Sequence, residues 1–164
     1  MPAAIRIVVE YDAMGAEDAL KHLDLTLPDA ATPGGNYLPA KLAGGTLYLA
    51  GVISTNAAGL IAGTVGLDRS IAEGYAAARC CALMQLAAIR QALGSLDAVN
   101  GVLSVSGYVN AVPGFPDSPS VINGASDLLI AVFGEAGRHV RAAVGVNALP
   151  RNALVELQMI VAVR

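Results

Sequence analysis

The sequence predicts one α+β domain in which helices cover one face of a sheet, and three observations carry that reading. A long amphipathic helix pattern occupies residues 70–93, short strand-like runs lie before and after it, and turn-forming residues punctuate the junctions. The resulting order is strands, long helix, strand, helix, two strands, which builds a sheet with its helices segregated on one side. At 164 residues the chain can fill one compact core and is too short for two comfortable domains.

Residues 5–10 (IRIVVE) read as a short strand or an extension, and residues 17–25 as a short helix ending before the breaker-rich LPDAATPGGNY. Two strand runs, 38–42 and 46–53, flank Gly44-Gly45, a pair that supplies the positive φ angles of a tight hairpin. Residues 63–65 offer a further short strand. The helix over 70–93 opens on Ser70 with Glu73 three residues on, a capping box that satisfies two orphan amide donors reciprocally. Ile71, Tyr75, Ala78, Ala82, Leu86, Ile89 and Leu93 then recur at three- and four-residue steps, and Gly94 supplies the stop. Residues 99–109 are strand-like, AVPGFPDSP is a loop, and 120–133 form a second helix closed by Gly134. Residues 138–148 and 154–163 read as strands joined around Leu149-Pro150-Arg151-Asn152.

Composition narrows the classes of function. The chain is 55% hydrophobic and only 14% charged, which is greasy for a monomer. No apolar run of about 18 residues is free of charge or glycine, so copies of the chain rather than a membrane are expected to cover that surface. A net charge of -3 with scattered basic residues leaves no electrostatic footprint for nucleic acid. The opening MPAAIRIVVEYD lacks the basic region and long apolar core of a secretion signal, which makes the cytoplasm the expected compartment. Cys80 and Cys81 are adjacent, poorly placed for a mutual bridge or a metal site, and read as small apolar core residues. TPGGN lacks the Lys-Ser/Thr of a phosphate loop, and His22 reads as a surface residue.

The last two strands hold the candidate chemistry. Strand alternation puts Ala142, Val144, Val146 and Ala148 on one face, and Val155, Leu157, Met159, Val161 and Val163 on one face of the next strand; these read as core faces. The opposite faces carry Arg141, Ala143, Gly145 and Asn147, then Glu156 and Gln158. One cation and one anion among small residues leave room for a ligand or a neighbouring subunit, and equally describe a solvated face with an ordinary surface ion pair. A simple hairpin with Ala148 opposite Ala153 would set the two charges four residues apart, about 13 Å along the sheet. That is too far for a direct pair and suits convergence on one small molecule, across a subunit boundary if need be. His139 precedes Arg141 by two residues on the same face, as a second acid or base or as a partly exposed interface residue.

The run RAAVGVNALPRNALVELQMIVAV resembles the signature segment of the RidA/YjgF (endoribonuclease L-PSP-like) family, with Arg141, Val144, Val146, Leu149, Pro150, Val155 and Glu156 at its patterned places. GGNYLPAKLAGGTLYLAGVIS resembles that family's opening hairpin, with Tyr37 at the aromatic position and Gly51 after the second strand. VINGASDLLIAVFG resembles its second helix, with Asn123 in place. The likeness covers residues 32–164 and leaves 1–31 as an N-terminal extension. It implies a chorismate-mutase-like fold with two helices on one face of a mixed sheet, a homotrimer, and clefts between subunits. It further implies hydrolytic deamination of reactive enamines and imines of small carboxylates such as 2-aminoacrylate, without cofactor or metal. Arg141 would hold the substrate carboxylate and Glu156 would activate water, while Tyr37, Gly51 and Asn123 shape the pocket. Two places depart from the family pattern: Ala50 stands where a serine is usual and Ala143 where a cysteine is frequent, which removes polar groups and bears on substrate choice. A trimer that binds small carboxylates for regulation, without turnover, is the alternative. The acidic balance argues against a ribonuclease.

Overall fold

The computed structural model describes residues 14–164, so the strand expected over residues 5–10 lies outside the described residues. A short helix α1 (Ala16–His22) leads by an irregular segment into β1 (Ala40–Ala43) and β2 (Thr46–Leu49). Gly44 and Gly45 adopt φ values of 55° and 73°, the left-handed pair that a two-residue hairpin requires. The chain breaks at Ala50-Gly51, continues as β3 (Val52–Ile53), and makes a small separate hairpin of β4 (Thr55–Asn56) and β5 (Gly59–Leu60). The run over residues 63–65 forms only isolated bridges through Val65.

Helix α2 (Ile71–Leu93) has the ends its sequence dictates. Ser70 Oγ accepts from the Glu73 amide, Glu73 accepts from the Ser70 amide at 2.8 Å, and Gly94 ends the helix at φ 84°. Then come β6 (Val99–Asn110), α3 (Ser118–Phe133), β7 (Val140–Val146) and β8 (Val155–Val163).

The main sheet runs β1-β2-β8-β6-β7, with β3 also paired to β8. All pairs are antiparallel except β6 and β7, which are parallel because α3 carries the chain from the end of one to the start of the other. Helices α2 and α3 lie on one face, and the core forms between them and Leu47, Leu49, Val105, Val109, Val155, Leu157, Met159 and Val161. Cys81 is fully buried there and Cys80 partly. Glycine sets how closely the helices cross: a Cβ on Gly124 of α3 would run into the Tyr75 carbonyl of α2.

Two expectations are corrected. The last two strands do not form a hairpin, because β6 lies between them, parallel to β7 and antiparallel to β8. Adjacency in sequence suggested direct pairing, but the long β6 takes the centre and pushes β7 to the edge. The faces of β7 are also reversed. Arg141 and Ala143 point to the helix side, opposite buried Val105 and Gly107. Val140 and Val144 are 72% and 46% exposed on the open side. Small residues on β7 let α3 approach: a Cβ on Gly145 would lie 3.4 Å from Ser118 Oγ. The face of β8 matches expectation, with Val155, Leu157, Met159 and Val161 buried.

Candidate functional site

The sheet register divides the candidate residues into two groups on opposite faces. Ile53, Glu156, Tyr108 and Val144 form one row on the open face, since each pairs with the next across the strands. Met159, Val105 and Arg141 form a row on the helix face. Within one protomer Arg141 and Glu156 are therefore separated by the sheet itself.

The arginine group is built by β7 and α3. Asn123 and Ser126 are three residues apart on the helix and so present neighbouring side chains to the strand edge. Arg141 Nη1 donates to Asn123 Oδ1 at 2.8 Å and to Ser126 Oγ at 3.0 Å, and Nη2 donates to the Pro119 carbonyl at 3.4 Å. Those three bonds use three of the five guanidinium donors, so Nε–H and one Nη2–H stay unused along one edge of the fork. No carboxylate pairs with Arg141 among the described residues. Ala143 continues the same face one step along β7 and packs against the core, leaving no polar group at that place.

The glutamate group is built by β8 and the strand break. Glu156 makes no hydrogen bond among the described residues, and burial alone raises its pKa from the ordinary glutamate value. Gly51 lies directly beside it: a Cβ there would overlap Glu156 Oε1. Tyr37 is 53% exposed, its hydroxyl accepts from the Gly34 amide at 3.3 Å, and it lines a small cavity of about 30 Å³ with Thr32, Pro33, Ala50, Gly51 and Gln85. Gln85, which nothing in the sequence singled out, donates from Nε2 to the carbonyls of Ala50 at 2.9 Å and Leu157 at 2.8 Å. It thereby ties α2 to the strand break on one side of Glu156 and to the residue after it on the other.

The structure thus brings Arg141, Asn123 and Ala143 together and sets Gly51 beside Glu156, while Tyr37 shares a cavity with Gly51. Ser126 was missed as part of the arginine group, and the three-residue step from Asn123 was the signal that could have found it; His139, weighed from the sequence as an acid or base or an interface residue, lies 3.0 Å from Ser126 Oγ. Among the described residues no three His, Cys, Asp or Glu side chains cluster as metal ligands would. None of the helices there is long and apolar enough to cross a membrane.

Residues 17–163 match the family model described as "YjgF/chorismate_mutase-like, putative endoribonuclease". Protein TCP17 of Trypanosoma cruzi is 42% identical over 144 residues, 87% of this chain and 90% of that protein. The crystal structure of Atu1372 from Agrobacterium tumefaciens, a protein of unknown function, is 42% identical over 91% of this chain and 92% of its own, at a TM-score of 0.83. A Shewanella oneidensis MR-1 protein, named as an endoribonuclease candidate, is 32% identical over 92% of this chain and 100% of its own, at a TM-score of 0.87. With the mixed sheet, the helices on one face and the match over nearly the whole described length, the chain belongs to the RidA/YjgF family and has its chorismate-mutase-like α+β fold.

Proposed function

We propose that the protein is a trimeric, cofactor-free deaminase that hydrolyses imines of small carboxylates, with each active site assembled from the arginine group of one protomer and the glutamate group of its neighbour. The observation that carries this reading is the complementary state of the two groups. Among the described residues, Arg141 is held in place by three acceptors and keeps two donors free, whereas Glu156 is half-buried with no hydrogen-bond partner. An immobilised bidentate donor suits a carboxylate. An unpaired, partly desolvated carboxylate suits a general base.

The open face of the sheet supports the assembly. Tyr48, Val140 and Val144 are 49%, 72% and 46% exposed on that uncovered face, and Ile160 lies in the same layer beside Tyr48. An apolar sheet face of that kind calls for a covering surface, and a closed ring of identical chains supplies one. Such packing would bring the edge strand β7 of one protomer against the Glu156 face of the next.

The chemistry balances without an added group. The enamine 2-aminoacrylate takes one proton from solvent at its methylene carbon to give the iminium CH3–C(=NH2+)–COO−, whose carboxylate lies on the free edge of Arg141. Glu156 removes a proton from water as the oxygen bonds to C2 and the C=N π pair moves to nitrogen. The resulting carbinolamine collapses: Glu156 returns its proton to the departing amine, the C–N bond breaks, and the hydroxyl proton passes through water to the released ammonia, which leaves as ammonium. One imine and one water give one pyruvate and one ammonium. The methyl of Ala143, in place of a larger polar side chain, leaves room near the arginine for a longer substrate tail.

The test is ammonia and pyruvate release from 2-aminoacrylate generated in situ, with wild type beside Arg141→Ala and Glu156→Gln. Acceleration lost in both variants supports the deaminase. A trimer that binds small carboxylates through Arg141 and accelerates nothing would replace it with the binding module.

A further inference from the structure

We infer that His139 is a positioning residue for Arg141, acting through the hydroxyl of Ser126. The inference rests on the reading above only for the consequence at the carboxylate; the contacts themselves stand without it.

His139 Nδ1 lies 2.7 Å from the Gly137 carbonyl, which can only accept, so Nδ1 carries the proton. In the neutral ring Nε2 is then a lone pair, and it lies 3.0 Å from Ser126 Oγ. The serine hydroxyl must donate to it. That choice turns the remaining lone pairs of Ser126 Oγ to Arg141 Nη1, which donates to it at 3.0 Å. A serine on a helix can otherwise donate back to a carbonyl of the preceding turn. His139 removes that freedom. The relay therefore runs from the Gly137 carbonyl through His139 and Ser126 to the guanidinium, while Asn123 fixes the second Nη1–H.

The members come from three segments. Gly137 closes the turn Gly134–Gly137, Ser126 belongs to α3, and His139 and Arg141 flank Val140 at the start of β7. The charged groups of the surrounding segments are engaged elsewhere: Glu135 with Arg138 at 2.8 Å, and Asp127 with the Tyr75 hydroxyl at 2.8 Å. Strand β6 offers only Ser104 and Val105 opposite Val140 and Arg141. Among the described residues, His139 and Arg141 are the side chains that bond the Ser126 hydroxyl.

The experiment compares wild type, His139→Leu, His139→Gln, Ser126→Ala and the His139→Leu/Ser126→Ala pair, each checked for the same assembly size. With 2-aminoacrylate, His139→Leu is expected to raise KM about three- to tenfold, the effect of one neutral hydrogen bond, with kcat held within about twofold. His139→Gln, whose side-chain carbonyl can accept from Ser126, is expected to restore KM. In the Ser126→Ala background His139→Leu is expected to add nothing further, because the two act in series. An unchanged KM in His139→Leu, or additive effects in the pair, would overturn the relay. A second readout needs no turnover: the Arg141 Nε–Hε NMR signal should shift or broaden in His139→Leu and change no further in the pair. If wild type proves inactive, a shifted signal keeps the relay and removes the deaminase reading, whereas an unmoved signal removes both.

Discussion

Gly51→Ala isolates the placement of Glu156 from its chemistry. The backbone of Gly51 is not in the left-handed region, so alanine is allowed there on conformational grounds. The added methyl, however, would overlap Glu156 Oε1, whereas ordinary contact begins near 3.4 Å. The atom in the way is the end of a flexible side chain, so the carboxylate swings aside and the fold is little disturbed. The retreat needed is about 1 Å, and a misplacement of that size at a reacting group costs on the order of 10²-fold in rate. The carboxylate anchor lies in the other group of residues, so substrate affinity should hold. Steady-state deamination of 2-aminoacrylate should therefore give a kcat about 100-fold below wild type, with KM and Tm close to wild type. A Gly51→Ala protein with full kcat would refute the placement of Glu156 as the base, and one that fails to assemble would show that Gly51 serves packing instead.

Further outcomes follow from the same geometry. Arg141→Lys keeps the charge but loses the planar fork, and should raise KM for carboxylate substrates about 10- to 100-fold, read from initial rates. Because burial raises the Glu156 pKa, kcat should begin to fall at a higher pH than an ordinary glutamate would give, in a pH–rate profile. The same shift fixes the sign for stability. The folded form favours protonated Glu156, so this contribution is present at low pH and lost as pH rises through the raised value. Glu156→Gln should accordingly raise Tm at neutral pH, with the gain vanishing in acid. Glu17 has the opposite sign. Burial opposes its ionisation, but the Arg90 pair (Nη2 to Oε2 at 2.5 Å) and the Leu96 amide at 2.9 Å outweigh it and lower its pKa. Its contribution is present above the ordinary carboxylate range and lost as pH falls through the lowered value, so Glu17→Gln should flatten the acid limb of a urea-unfolding series.

Local chemistry was legible in the sequence, and long-range pairing was not. Ser70, Glu73 and Gly94 fix both ends of α2 through bonds within a few residues, and Gly44-Gly45 fixes the first hairpin the same way. The order of the last strands depends on where β6 inserts, and no local pattern in residues 138–163 encodes that. The burial of β7 was ambiguous for a chemical reason: Ala142 and Val144 on one side and Ala143 and Gly145 on the other are all small or apolar, so alternation cannot say which side meets α3. Arg141 and Glu156 stood out as one cation and one anion among small residues on the last two strands, whereas Tyr37, Gly51 and Asn123 were found through the family resemblance. Their division into two groups on opposite faces required the register, and the His139–Ser126 contact required three segments brought together by folding.

That division gives the most direct test of the account. Arg141→Ala and Glu156→Gln proteins, each inactive alone, would be unfolded together in equal amounts, refolded, and assayed for ammonia release. If every site takes Glu156 from one protomer and Arg141 from its neighbour, a random cyclic trimer has an intact site at about one in four interfaces, so about a quarter of wild-type activity should return. If both residues served one site within a single chain, every site would carry a lesion and no activity would return, which would contradict the account.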